Sequence, residues 1–554
     1  MQREGAISLR AIIVGAVFGI GFSAAAMYAG QKTSVIDGGN IPAALLGFGA
    51  LTTVLRRRPS MDEGNIVQTV SSSAAMMAIT GGLIGPIAAM SLGGAMPSFP
   101  LVVAWGIAVG VVGALLAVPL RAAFVTHGSL PFPSGAATAE VLEDIYRGAR
   151  SGTSRVRMLV IGAVAAFAFA FARSRLGWIP EVYVFPVAIG GISAAAIELG
   201  VSWSPLLVGV GLLAGARTAI SLVVGGVLAW IVIAPQLVSA GIATPEFGSL
   251  RDWLLFTGTG VMLGGSVGSV AGAIRDLRAS LRVVSTAGSF RLTRNHVLAL
   301  AAGAVAVIGL GTIAFDVSPL IAVFALVLSA LLCAAAAHAM GETDNTPAGP
   351  LGGFAQVVVG AIAPGGTAAP LSGGGVVNGT LMHSAMMLQN WKTGARVGTP
   401  PSAQLVAQLV GVVVGAITCA GVFALLQAAY GLGTEAMPAP AAMSWKATAD
   451  IAQHGISSMP RYAPIGAAVG FALGCVLTLK PIAKYAPSPV AMGLAFMLPP
   501  SLSFTIAIGG LAYWCIARVS KRYADEESFA LASGLIAGEA LAGLAIAVLL
   551  LSNR

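Results

Sequence analysis

SPLLVGVGLLAGARTAISLVVGGVLAW, residues 204–230, returns in altered form as SPVAMGLAFMLPPSLSFTIAIGGLAYW, residues 488–514. At one offset of 284 and with no gap, Ser204 meets Ser488, Pro205 meets Pro489 and Gly209 meets Gly493. The pair Gly225-Gly226 meets Gly509-Gly510, and Trp230 meets Trp514. A chain rich in Gly and Ala aligns those residues by chance. A tryptophan among only eight, in register with a Ser-Pro start and a Gly pair, is a stronger match. Two shorter pairs keep the same order: GARSGT from Gly148 with GARVGT from Gly394, and EGNIVQT from Glu63 with ETDNTPAG from Glu342. Together they predict two pseudo-repeated halves, residues 1–285 and 286–554. Both GAR loops are basic, which places both on the cytoplasmic side and favours a parallel over an inverted repeat.

Composition sets the solvent. Of the 554 residues, 57% are hydrophobic and 9% charged, where soluble domains carry about 25% charge. The mean hydropathy is +0.89. Uninterrupted apolar runs at 9–29, 98–120, 156–173, 219–238, 253–274, 296–314, 318–339, 403–429 and 528–551 read as membrane-spanning helices. Gly- and Pro-broken apolar stretches lie between them, so the expectation is an all-α polytopic membrane protein with about 14–16 membrane segments, some of them half-helices or re-entrant. The first run reads as a span rather than a cleavable signal. A net charge of +9, clustered beside apolar runs, is a topology signal and not a nucleic-acid footprint. The four cysteines sit in apolar runs without metal or disulfide spacing. No G-x-x-x-x-G-K-[ST] or H-E-x-x-H occurs, and G-x-S-x-G falls only inside apolar runs. A nucleotide-driven pump and a membrane enzyme are thereby excluded, with no catalytic residues and no cofactor expected. A channel or uniporter for small polar solutes is the alternative to a transporter.

The stretch SLPFPSGAATAEVLEDIY, residues 129–146, places helix breakers inside membrane-depth sequence. Pro131 and Pro133 end any preceding helix, and Gly135 to Ala139 allow close backbone packing. A helix restarts with Ser134 available as its N-cap. Irregular backbone at this depth is tolerated only against protein or a water-filled cavity, which makes 126–143 a re-entrant or cavity-lining element rather than a surface loop.

LPFPSGAATAEVL resembles the signature of the oligopeptide transporter family, which includes the yellow-stripe metal-chelate transporters. NIVQTVSSSAA from Asn65, GETDNTPAG from Gly341, QNWKTGARVGTPPSAQ from Gln389, GLIAGEALAG from Gly534 and the two Ser-Pro blocks are similar to that family, in its order. The resemblance implies a proton-driven transporter of peptides or of metal bound to a small amino-acid-like chelator, often a homodimer. The short termini suggest a prokaryotic member seated in a bacterial inner membrane.

Ionisable and polar groups at membrane depth need a reason to be there. Glu539, midway along the last span and without an evident cationic partner, is the first candidate for carrying a coupled proton, since burial alone raises a carboxyl pKa. Glu342 and Asp344 are the second. With Asn345 they read as the opening of a half-helix whose N–H groups face an anionic substrate. Pro133, Ser134, Gly135, Thr138, Glu140, Asn65, Gln68, Asn378 and Arg217 complete the expected substrate pathway, Arg217 as a partner for a substrate carboxylate. Structural readings stand beside each: N-capping for Glu63 and Asp344, a helix clamp for Glu539, an interfacial cation for Arg217, and satisfied polar groups for His338 and His383. No metal-ligand spacing occurs.

Overall fold

The computed structural model describes residues 8–36, 38–55, 59–126, 130–146, 150–286, 293–363 and 365–553. The helices that bear on function are, in chain order, α1 (Leu9–Thr33), α2 (Asn40–Leu55), α3 (Met61–Thr80), α4 (Pro133–Tyr146), α5 (Arg150–Ser174) and α6 (Pro205–Gly226). After them come α7 (Pro319–Thr343), α8 (Ala348–Ile362), α9 (Ala368–Val397), α10 (Pro401–Tyr430), α11 (Pro489–Ala495), α12 (Pro500–Val519) and α13 (Lys521–Ser552). Among the described residues, 10 helices are long and apolar enough to cross a membrane, and shorter apolar helices lie at Asn40–Thr52, Ala348–Ile362 and Ala463–Leu477. The chain is an all-α polytopic membrane protein.

Chain contacts define two units. One comprises Met1–Met27, Ile36–Val156 and Val270–Ala424; the other Tyr28–Val35, Arg157–Ser269 and Leu425–Arg554. Each contains residues from both sides of position 285.

In the first unit, α3 and α9 are the polar centre. α3 carries Asn65, Gln68, Thr69 and three consecutive serines, yet nearly all of it is buried. A helix this polar is stable at membrane depth only when protein surrounds it. α9 packs against α3, and α8 folds back on α9 as a short partner, with Val359 against Gly373. Gly379 lies so close to Thr80 O that no side chain fits between them. α4 packs on α2 and α9; its Gly135 has no room for a Cβ against Gln389 O.

In the second unit, the two Ser-Pro blocks meet. The first is α6 with the turns that follow it; the second is α11 and α12. α6 is interrupted at Gly215 (φ 74°, ψ 178°), a conformation open to glycine. The second block is interrupted between Ala495 and Pro500, where Pro499 is extended (ψ 138°). Pro499 is the residue 284 positions after Gly215. The contacts are reciprocal as well. A Cβ on Gly509 would fall on Val208 O, and a Cβ on Gly225 would fall on Met492 O. Those are the same two positions of the block with the partners exchanged. Trp230 Nε1 donates to Ala495 O at 3.1 Å and packs in a core with Trp253 and Phe496.

Ahead of α6 the chain forms small antiparallel pairs, β1 (Val182–Val184) with β4 (Gly200–Ser202) and β2 (Ala188–Ile189) with β3 (Ile192–Ser193). The sequence reading expected only a Gly/Pro-broken apolar stretch here; the strands are too short to show an alternating pattern.

Candidate transport site

Among the described residues, each unit holds a buried polar cluster. In the first unit a lattice of amides and hydroxyls joins α2, α3, α9 and α10. Gln68 Nε2 donates to Asn40 Oδ1 at 3.0 Å and to Asn390 Oδ1 at 2.9 Å. Asn390 Nδ2 donates to Gln408 Oε1 at 2.9 Å, and Gln408 Nε2 lies 3.0 Å from His383 Nε2. His383 Nδ1 meets Thr80 Oγ1 at 3.3 Å. Fully buried His383 is thus a satisfied polar group, as its structural reading held. Asn65 is the exception: it is fully buried, and neither of its side-chain amide atoms has a hydrogen-bond partner. Such a group costs roughly 1–3 kcal/mol unless water or a ligand reaches it. Asn378 is buried on α9.

At one edge of this unit lies the Pro-Gly motif. Pro133 begins α4, and Asp344 caps it. The Asp344 carboxylate accepts from Ser134 N at 3.0 Å, from Ser134 Oγ, and from Gln389 Nε2 at 3.1 Å. Phe132 N donates to Gly341 O at 2.8 Å, and Lys392 Nζ donates to Leu130 O at 2.8 Å. Ser134 therefore donates to a cap rather than acting as one, which corrects the expectation. The reason is that Asp344 brings a full negative charge to the positive end of the helix. Thr138 is buried and bonds back to Ser134 O, while Glu140 is exposed. Glu143, beside it, pairs with Arg396 at 3.2 Å.

Glu342, Asp344 and Asn345 do not open a half-helix. Glu342 is in the last turn of α7, 3.7 Å from His338, and Asp344 is the left-handed residue (φ 62°) that ends the helix. Asn345 is exposed, and α8 starts at Ala348. Glu63, by contrast, stands in the first turn of α3 in a capping box with Ser60. One acid begins a helix and the other ends one, so the proposed Glu63/Glu342 repeat match fails. Gly148 of the GAR pair lies outside the described residues.

In the second unit, Glu539 is fully buried, but not alone. Arg173 Nη2 donates to it at 3.1 Å, Ser204 Oγ lies 2.8 and 2.9 Å from its two oxygens, and Leu206 N donates at 2.8 Å. Lys32 Nζ stands 3.7 Å away. The expectation of a carboxyl without a cationic partner is overturned. Arg173 ends α5 and Lys32 ends α1, and each side chain turns inward to the acid rather than outward to the interface. Glu539 thereby also caps the start of α6, where Ser204 in turn accepts from Leu207 N. Beside it opens a cavity of about 330 Å³, lined among others by Tyr28, Lys32, Arg173, Glu181 and Tyr430.

Arg217 is engaged by the protein's own backbone. Its guanidinium donates to Ala483 O at 2.6 Å and to Ala486 O at 3.2 Å, which ties down the turn before α11. At the repeat-related place, Ser501 N donates to Glu198 O at 3.1 Å and Ser501 Oγ lies 3.5 Å from the Glu198 carboxylate. Burial, the charge of nearby Glu435 and that of Glu181 push the Glu198 carboxyl up to about 7, against the Ser501 hydrogen bond. Glu198 lies outside the membrane-crossing helices.

Sequence reasoning missed Lys32, Arg173, Ser204, Asn390, Gln408 and Glu198. One signal was available: a buried anion in an apolar span calls for a cation in another span, and Lys32 and Arg173 end two such spans.

Comparison with known proteins matches this architecture to a family. The profile described as OPT oligopeptide transporter protein covers residues 6–550. The iron-phytosiderophore transporter yellow stripe 1 of Zea mays is 25% identical, over 97% of this chain and 89% of that protein. The probable metal-nicotianamine transporter YSL10 of Oryza sativa subsp. japonica is 26% identical, over 99% and 91%. The probable metal-nicotianamine transporter YSL8 of Arabidopsis thaliana is 24% identical, over 99% and 87%. These relatives are plant proteins, and the family is one of transporters, not enzymes. With the family profile spanning nearly its whole length, the chain belongs to the OPT oligopeptide transporter family.

Proposed function

We propose that this chain is a secondary active transporter of small metal chelates, driven by protons. The observation that carries the substrate class is the end-to-end match to relatives named for metal-nicotianamine and iron-phytosiderophore transport. The residues are compatible with it. Among those described, no group of three or more His, Cys, Asp or Glu is placed to hold a metal. A chelate arrives with its metal already ligated, so the protein has only to read the outer carboxylates and amines. Oligopeptides, the other class in the family's name, carry the same end groups.

In this reading the buried polar centre of the first unit, with Asn65, Gln68 and Asn378, and the start of α4 at Ser134 line part of the pathway. The orphaned Asn65 amide supports it, because a passing substrate or water completes its hydrogen bonds. The proton rides on a membrane carboxylate. Glu539 qualifies at the stage of the cycle when Lys32 or Arg173 is drawn away from it; Asp344 and Glu342 are the alternatives. A homodimer, a seat in a bacterial inner membrane and two repeated halves belong to the same proposal. The reciprocal Val208–Gly509 and Met492–Gly225 contacts support the last of these.

Proteoliposome uptake tests the reading. Iron- and nickel-nicotianamine and di- to hexapeptides are offered with and without an imposed pH gradient. Saturable, gradient-driven chelate uptake is expected. Peptide uptake alone refutes the substrate class, and non-saturating flux indifferent to the gradient indicates the channel or uniporter. Glu539→Gln is expected to abolish gradient-driven uptake while sparing counterflow. Wild-type pH dependence in that variant moves the proton to Asp344 or Glu342.

A further inference from the structure

We propose that the cavity beside Lys32 is a carboxylate-binding site, which takes one anionic arm of the substrate; its transport role rests on the chelate reading above. The first ground is charge. Two cations, Lys32 and Arg173, face one buried acid, Glu539, so the buried cluster carries a surplus positive charge. Glu181 lies 3.9 Å from Arg173, but its side chain is 64% exposed and so screened by water, and with exposed Arg175 the lining holds three cations, Lys32, Arg173 and Arg175, against two acids, Glu181 and Glu539.

The second ground is the distribution of donors. Both Glu539 oxygens already accept hydrogen bonds from Arg173, Ser204 and Leu206 N. Arg173 is committed as well: Nε donates to Ser174 Oγ at 3.1 Å and Nη1 to Trp203 O, in addition to the bond to Glu539. Lys32 is different. Its ammonium is 3.7 Å from Glu539, beyond hydrogen-bonding length, and its one other recorded contact is with the Tyr28 ring at 5.8 Å. The Lys32 side chain is only 10% exposed, and it lines the cavity. A buried ammonium with donors to spare demands an acceptor.

The third ground is size. About 330 Å³ lies at the small end of the range for small-molecule sites, roughly 300–1,000 Å³. It suits an aminocarboxylate arm rather than a whole large peptide. A single surplus charge with Glu539 close behind it matches one carboxylate and disfavours a phosphate, which concentrates up to two charges on one group.

Binding to the full-length protein in nanodiscs tests this, with nickel-nicotianamine, metal-free nicotianamine, succinate and inorganic phosphate as probes. Lys32→Met is expected to weaken nicotianamine binding, with or without metal, at least about tenfold, the size of one charge-assisted hydrogen bond. Lys32→Arg restores it to within about threefold. Glu539 keeps Arg173 in both variants, so their melting temperatures should stay near wild type. Leu550→Trp narrows the cavity without altering charge, and it too should weaken binding. If Lys32→Met misfolds, Leu550→Trp decides. Chelate binding unchanged in the variants overturns the site and leaves chelate transport standing. Lys32-dependent binding of succinate with none of either nicotianamine form keeps the site and overturns the chelate reading. Phosphate binding as tightly as succinate overturns the carboxylate assignment.

Discussion

Replacing Glu539 with Gln keeps the shape of the side chain and an oxygen for Ser204 and Leu206 N, while the new NH2 group faces Arg173, so the loss is the charge together with the Arg173 hydrogen bond. At an effective dielectric of about 20, a unit pair at the Arg173 distance of 3.1 Å is worth ~5 kcal/mol. At the Lys32 distance of 3.7 Å the figure is ~4 kcal/mol. Desolvation of three buried groups and repulsion between the two cations offset most of this. What remains measurable is the penalty for stranding charge, about 3–5 kcal/mol when one member of a buried pair is removed. Here a single substitution takes the buried acid from two cations; among the described residues Arg173 keeps only the exposed Glu181, 3.9 Å away, and Lys32 keeps none. Lys32→Met alone leaves Glu539 matched to Arg173 and should cost no more than ~1 kcal/mol, near the usual range for a tolerated change. Adding Lys32→Met to Glu539→Gln should then recover at least ~1 kcal/mol, because one stranded cation is gone. Unfolding free energies by steric trapping in bicelles, arranged as a double-mutant cycle, provide the measurement. A Glu539→Gln protein within ~1 kcal/mol of wild type, or a cycle with no coupling, refutes the charge accounting.

Asp344→Ala should raise amide exchange across the first turn of α4, at a cost of about 0.5–2 kcal/mol typical of a lost N-cap; hydrogen exchange with mass spectrometry reads it, and unaltered protection around Ser134 counts against the capping role. Gly509→Ala places a methyl on Val208 O and should cost at least about 1–3 kcal/mol of overpacking, whereas Gly226→Ala has open space and should be nearly neutral. Comparable yields of folded protein from the two variants would contradict the close approach. Glu198, with its carboxyl raised to about 7, binds a proton more tightly folded than unfolded. Its contribution to stability is therefore present at and below pH ~4.5 and is lost as pH rises to about 7. Melting curves across that window should show this decline, and Glu198→Gln should flatten it; an unchanged slope removes Glu198 as its source.

The membrane class could be read from composition, and the family from motifs scattered over the chain. Discontinuous helices were foreseen from Gly and Pro, and the α6 break does fall on a glycine, Gly215. Glu539 was singled out as an ionisable group in an apolar span, but its partners could not be read. Arg173 is 366 residues away in sequence, and pairing over that distance leaves no local period or spacing. The same holds for Asp344, 210 residues from the serine it holds. Charged residues at span ends ordinarily snorkel outward, so Lys32 and Arg173 read as interface residues. α3 and α9 read as broken apolar stretches because hydropathy assumes lipid neighbours, whereas theirs are other helices.

The lattice of Gln68, Asn390, Gln408 and His383 also constrains how the protein can move. Sliding one of α3, α9 or α10 by a single residue shifts it about 1.5 Å along its axis. That is enough to break the buried bonds the sliding helix makes, Gln68 to Asn390 for α3, Gln408 to Asn390 and His383 for α10, and all three for α9, at roughly 1–3 kcal/mol for each group left unpaired. The three helices are therefore cross-braced against relative slip and behave as one stiff spar. In the second unit, by contrast, the helical ladder is already open at Gly215 and between Ala495 and Pro500, so no such lattice has to break there for the backbone to bend.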